Sequence, residues 1–175
     1  MGSGATDNIS GATLSALLVT TSVNITTGLG ADATVPGVPP VRTLNTAVVG
    51  NGDIHINDPV TWTAAPSTTT LTLNAERDVN LNRAITATNG NLSVCCGRDI
   101  LANNAINVTN GSVLLSAGRN AVLSAAAALT VTDGNLMVCA ANDVRVASAI
   151  TLTRGASIAA QSLGLPAGLV LTAGT

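Results

Sequence analysis

RDVNLNRAITATNGNLSVCCG (77–97) decides the fold. It divides into three short pieces, DVNLN (78–82), AITAT (84–88) and NLSVCC (91–96), and each alternates polar and apolar residues. Period-two alternation marks a strand with one buried face. The pieces are separated by single polar residues or by Asn89-Gly90, which is turn chemistry. Three strands in about twenty residues leave no room for a crossover helix or for hairpin partners within the unit. Each strand must then pair with a copy of itself, and the copies are present. RDILANNAINVTNGSVLLSAG (98–118), RNAVLSAAAALTVTDGNLMVCAA (119–141) and NDVRVASAITLTRG (142–155) repeat the phrase, and GDIHINDPVTWTAAPSTTTLTLNAE (52–76) precedes it in looser form. A structural ladder of Asp53, Asp78, Asp99, Asn120 and Asp143 marks the period, with steps of 25, 21, 21 and 23 residues. A period in the twenties means stacked supersecondary units, none able to bury its apolar face alone. The expectation is an all-β, right-handed parallel β-helix with three short strands and about 20–23 residues per coil.

The pattern predicts inward columns. On the first face these are Ile54 and Ile56, Val79 and Leu81, Ile100 and Ala102, Ala121 and Leu123, and Val144 and Val146. On the second they are Val60 and Trp62, Ile85 and Ala87, Ile106 and Val108, Leu129 and Val131, and Ile150 and Leu152. On the third they are Leu71 and Leu73, Leu92 and Val94, Val113 and Leu115, Leu136 and Val138, and Leu169 and Leu171. Trp62, the one aromatic residue, falls on an inward position and reads as core rather than as a ligand platform. Polar columns mark the corners: Asn57, Asn82, Asn103 and Ser124, then Asn51, Asn89, Asn110 and Asp133, each of the latter before a Gly. Asn tolerates left-handed backbone and stacks as an amide ladder between identical coils.

Composition narrows the function. Only 9% of residues are charged, the net charge is −2, and all seven basic residues are Arg, the first being Arg42. There is no basic stripe, so nucleic acid is not an expected partner. No run of 18 apolar residues suggests a membrane helix. The apolar run LSALLV (14–19) lacks a basic n-region and is not read as a signal peptide; Met1-Gly2-Ser3-Gly4 reads as an artificial start, so an export signal is expected upstream. Residues 1–52 are read as a degenerate N-terminal coil or flank with a Pro-rich loop at 31–43, and 53–175 as the β-helix repeats. The Pro-containing insert at 64–70 accounts for the long first step. Nothing in the sequence resembles a polar cap at either end, which leaves open coil edges suited to end-to-end self-association or to continuation of a longer β-helix.

Few residues invite chemistry. His55 is the sole histidine and points outward with no acid or nucleophile beside it in sequence. Cys95, Cys96 and Cys139 have no metal-ligand spacing; Cys95 and Cys139 lie two rungs apart on the outside, roughly 9–10 Å, too far for a disulfide. No cofactor or metal is expected. Arg77, Arg98 and Arg119 form a column beside the Asp ladder, read as exposed ion pairs of ~0–1 kcal/mol each. Repeated Asp78 and Asp99 would also stand within the roughly 5–10 Å that glycoside hydrolysis requires of two carboxyl groups. On the second face the outward residues form two Thr columns: Thr61, Thr86, Thr130 and Thr151 (with Asn107 on the middle rung), and Thr63, Thr88, Thr109, Thr132 and Thr153. Paired Thr columns on a flat solenoid face suggest an ice-binding surface; against this, Thr suits any solvated strand, and the repeats vary in length.

The phrases GDIHIND (52–58), VTWTA (60–64), LTLNAERDVNLN (71–82), AITATNGNLSV (84–94) and GSVLLSAGRN (111–120) resemble the β-helical shaft of filamentous haemagglutinin-like exoproteins, the large adhesins of bacterial two-partner secretion. The resemblance covers roughly 50–155. It implies a right-handed β-helix, secretion through an outer-membrane transporter to the bacterial surface, and an adhesive role toward host or matrix glycans and proteins. The N-P-N-type motifs of that family's secretion domain are absent here, so the resemblance is to shaft, which is a spacer and assigns no catalytic residue. The expected function is therefore a non-enzymatic structural or adhesive module of a secreted protein, able to assemble end to end into extracellular filaments. The alternatives are a polysaccharide-binding or -cleaving β-helix and the Thr-face ice binder.

Overall fold

A computed structural model describes residues 9–27, 52–154, 163–165 and 168–174. Alternating residues there build sixteen short strands, and no strand pairs with its neighbour in sequence. The first face holds β2 (Ile54–Ile56), β5 (Val79–Leu81), β8 (Ile100–Ala102), β11 (Asn120–Leu123) and β14 (Asp143–Val146). The second holds β3 (Val60–Thr63), β6 (Ile85–Thr88), β9 (Ile106–Thr109), β12 (Leu129–Thr132) and β15 (Ile150–Thr153). The third holds β1 (Val23–Thr26), β4 (Thr69–Ala75), β7 (Gly90–Cys96), β10 (Val113–Ala117), β13 (Leu136–Ala140) and β16 (Leu169–Ala173). Every pairing is parallel, each strand against its copies in the coils before and after. This is a β-solenoid of three parallel sheets, and it fits a right-handed parallel β-helix.

The inward columns pair as the alternation requires: Ile54 with Val79, Trp62 with Ala87, Leu71 with Leu92, Leu136 with Leu169. Through the central coils these side chains are buried nearly completely and form one continuous core. Burying a large aliphatic side chain contributes about 1.5–3 kcal/mol, so each rung stabilises the next.

Unequal repeat lengths do not disturb the register. The first step gains four residues between Thr63 and Leu71, since Thr63 pairs 25 positions on with Thr88 while Leu71 pairs 21 positions on with Leu92. The step between the third and fourth coils gains two residues as a turn between Leu123 and Leu129. Both additions lie at corners, where the coil can bulge without sliding a strand. At the corner between the second and third faces Asn89, Asn110 and Asp133 take left-handed φ of 54°, 52° and 52°, a conformation that Asn and Asp tolerate better than most residues. The Gly that follows each is forced by packing: a Cβ on Gly111 would stand 2.0 Å from the Gly90 carbonyl oxygen, and on Gly134 1.7 Å from that of Gly111.

The N-terminal flank packs on the stack, and it holds an element that its weak alternation does not show. Within it lies a helix, α1 (Gly11–Leu18), followed by β1, which pairs with β4. Ser10 caps α1, its Oγ accepting from the Thr13 N–H at 3.1 Å. Leu14 and Leu18, one turn apart on one face, are 2% and 0% exposed and join the core that holds Val60 and Trp62. Polar contacts fix the helix to the first coil. The Thr61 N–H on the edge strand β3 donates to Ser15 Oγ at 2.9 Å, and the Gly11 N–H donates to Asp58 Oδ2 at 3.1 Å. Gly11 is the residue that fits there, because a Cβ would meet the Pro59 carbonyl oxygen at 2.4 Å. The corner insert takes part too, with the Ala65 N–H donating to the Val19 carbonyl at 2.9 Å. So α1 caps the stack at its N-terminal end, where the sequence showed no cap. The Pro-rich stretch 31–43 and Asn51 lie outside the described residues.

Candidate functional site

The densest polar cluster is the Asp/Arg corner ahead of the first face. Each carboxylate does two things for the coil that follows it. Asp78 Oδ1 accepts from the Arg98 Nε at 2.8 Å and from the Asp99 N–H at 3.1 Å, while Oδ2 pairs with the Arg98 guanidinium. Asp99 repeats this with Arg119 (2.8 Å) and the Asn120 N–H (3.1 Å). Asp53 accepts the Asp78 N–H at 3.1 Å, with Arg77 Nε 3.3 Å away. The bidentate fork is the geometry for which Arg suits carboxylates better than Lys.

These pairs are less exposed than the sequence suggested. The Asp side chains of the three pairs retain only 10–14% exposure, although Arg119 keeps 46%. Burial alone would raise the Asp78 pKa; the Arg98 fork and the Asp99 amide outweigh it and hold the carboxyl below its usual value. For Asp99 the Arg119 hydrogen bonds dominate burial, again lowering it. The column changes character at Asn120, which pairs with Asp143 through the sheet register. A hydrolytic pair needs one protonated acid and a free partner. Asp78 and Asp99 are instead ionised and engaged by guanidinium groups and amides.

The other corner columns are hydrogen-bonded from coil to coil. Asn82 donates to Asn57 at 2.8 Å and Asn103 to Asn82 at 3.0 Å. Asn110 donates to Asn89 at 3.1 Å, and Asn89 to the Ala64 carbonyl at 2.9 Å. One column escaped the sequence reading. Asn91, Ser112 and Asn135 are 1%, 0% and 2% exposed, and side chain to amide bonds link them: the Ser112 N–H donates to Asn91 Oδ1 at 2.8 Å and the Asn135 N–H to Ser112 Oγ at 3.1 Å. At its end Asn135 Oδ1 accepts from Arg154 and from the Gly168 N–H, tying the last described strand to the coil beneath it. The signal was available, since each of these residues directly follows a corner Gly.

His55 is exposed in the middle of β2. Cys95 is exposed, Cys139 partly so, and Ser116 lies between them in register. Cys96 is buried, which pushes its thiol up to about 11. The two Thr columns stand on the second face in unbroken register from Thr61 and Thr63 on β3 to Thr151 and Thr153 on β15, passing through Thr86 and Thr88, Asn107 and Thr109, and Thr130 and Thr132. Among the described residues no helix is long and apolar enough to cross a membrane.

No family model matches the chain, and comparison with curated proteins and with solved structures finds no match.

Proposed function

We propose that this chain is a non-catalytic β-helical shaft module of a secreted bacterial surface protein, serving as an elongated spacer in adhesion. One observation carries the reading. The repeated polar side chains most suggestive of a site, the Asp/Arg corner and the Asn columns, are engaged in bonds from one coil to the next. They hold the register of a rod. The haemagglutinin-like phrases support the same reading, because they coincide with the strands and corners of the solenoid.

In this account outer-membrane export, surface location and contact with matrix glycans or proteins belong to the protein of which such a shaft is part. Further coils, from the chain's continuation or from a second copy, add at the C-terminal edge; α1 occupies the other. Incubation with a panel of polysaccharides should release no new reducing ends. Turnover that disappears in Asp78→Asn and Asp99→Asn would replace the shaft reading with a carbohydrate-cleaving one.

A further inference from the structure

The second face offers more than a solvated surface. Ten outward positions lie on its five strands, and nine are Thr, with Asn107 the exception. Variable repeat length spoke against a regular array, but the additions fall at corners and leave these strands in gap-free parallel register. The hydroxyls therefore form a two-dimensional grid, with about 4.8 Å between strands and about 6.6 Å between the two columns. Among the described residues none of the nine hydroxyls hydrogen-bonds to another protein group.

The face also carries no charge and no outward aromatic ring: its strands read VTWT, ITAT, INVT, LTVT and ITLT, and Trp62 points into the core at 2% exposure. A grid of this kind selects its partner by chemistry. Charged ligands find no counter-charge, and a crystalline polysaccharide finds no ring on which to stack. Hexagonal ice fits, because its prism face repeats oxygen positions with two spacings of similar size. Thr is β-branched and stiff at χ1, so the hydroxyls and methyls are held in place before binding, and little ordering cost remains to be met on contact with a solid lattice. Stacking on a continuous core holds the strands beneath them equally fixed.

We propose that the β3–β6–β9–β12–β15 face is an ice-binding surface whose ligand is the ordered water lattice. The site lies apart from the Asp/Arg corner and does not depend on the shaft reading.

The test is thermal hysteresis and ice-recrystallisation inhibition by the whole chain, with pull-down on microcrystalline chitin and cellulose alongside. The expected result is measurable hysteresis and faceted ice growth. Thr88→Tyr with Thr130→Tyr should abolish both, while Ser116→Tyr on the third face leaves them intact. Circular dichroism melts matching the parent chain show that each variant is folded. Asn107→Thr, which completes the grid, should increase the hysteresis. No ice activity in the parent chain overturns the proposal, as does hysteresis that survives the paired Tyr substitutions. Binding to crystalline polysaccharide without ice activity overturns it in favour of a carbohydrate surface.

Discussion

The two ends of the stack carry the same inward aliphatic pattern and differ in what lies on top of it. At the N-terminal end Val60 and Trp62 are 1% and 2% exposed, because α1 lays Leu14 and Leu18 over them. At the other end Val146, Leu169 and Leu171 occupy equivalent inward positions and are 39%, 45% and 46% exposed. Their own strands are formed and in register. Burial in a solenoid is thus conferred by the next layer, not by the coil in which a residue sits. A short helix that turns two leucines inward can supply that layer as well as another coil can. It answers the edge problem with side-chain chemistry too, as when Ser15 accepts the otherwise free Thr61 N–H.

The largest contrast is expected at glycine. Gly134→Ala in the interior forces a Cβ against the Gly111 carbonyl, and denaturant unfolding should show a loss of at least about 4 kcal/mol. Gly168→Ala, beside the last described strand, meets no atom within 4 Å and bears only its φ of 102°, so about 1–2 kcal/mol is expected. Equal effects would mean that the columns are not stacked as described.

Next come the caps. Leu18→Ala removes a fully buried side chain and should cost about 2–5 kcal/mol; Leu171→Ala should cost under about 1 kcal/mol, since nearly half of that residue is already in water. If the two are alike, α1 does not cap the stack.

The ion-pair column sharpens the comparison between interior and end. Asp78→Ala should cost about 1–3 kcal/mol by leaving Arg98 and the Asp99 amide without their acceptor, whereas Asp143→Ala on the exposed first-face strand of the last coil should change little. The acid response follows from the same carboxylates. Asp78 and Asp99 have folded pKa values below the ordinary one, so their contribution is fully present above the unfolded value of about 3.9 and is lost as pH falls through the folded values. A Tm that is flat from neutrality to about pH 4 and then falls is expected, and the fall should be shallower in Asp78→Asn/Asp99→Asn. The smallest effect is chemical. An alkylating reagent at neutral pH should modify Cys95 and leave Cys96 untouched until the chain unfolds, because burial raises the Cys96 thiol to about 11 and shields it.

These contrasts also divide what the sequence shows from what it conceals. Period-two alternation placed each inward pair, from Ile54 and Ile56 to Leu169 and Leu171, because a one-residue slip would invert every side chain. The corner residues were legible for a local reason: few residues besides Gly, Asn and Asp accept the left-handed turn at 89, 110 and 133. The cap was not legible. Leu14 and Leu18 sit at helical spacing, but α1 has eight residues, too few for one period to stand out against the alternation around it. Such a helix is stable only through the surface it covers. The Asp/Arg column was visible as a column, yet its burial was not, since that depends on how closely successive coils pack at the corner. On the second face the uneven steps of the repeat concealed a regular grid, because residue counts do not say where a coil bulges.

Peptide-resolved hydrogen exchange on the whole chain tests the central claim most directly, namely that α1 covers the edge strand β3 at one end of a parallel β-helix while, among the described residues, no further layer covers the last coil. The account predicts strong protection from β3 through β12, extending to the Thr61 and Ala65 amides beneath α1, and a steep fall across β14, β15 and β16. Fast exchange in β3, or protection in β14 to β16 equal to that of the central coils in a monomer, would contradict it.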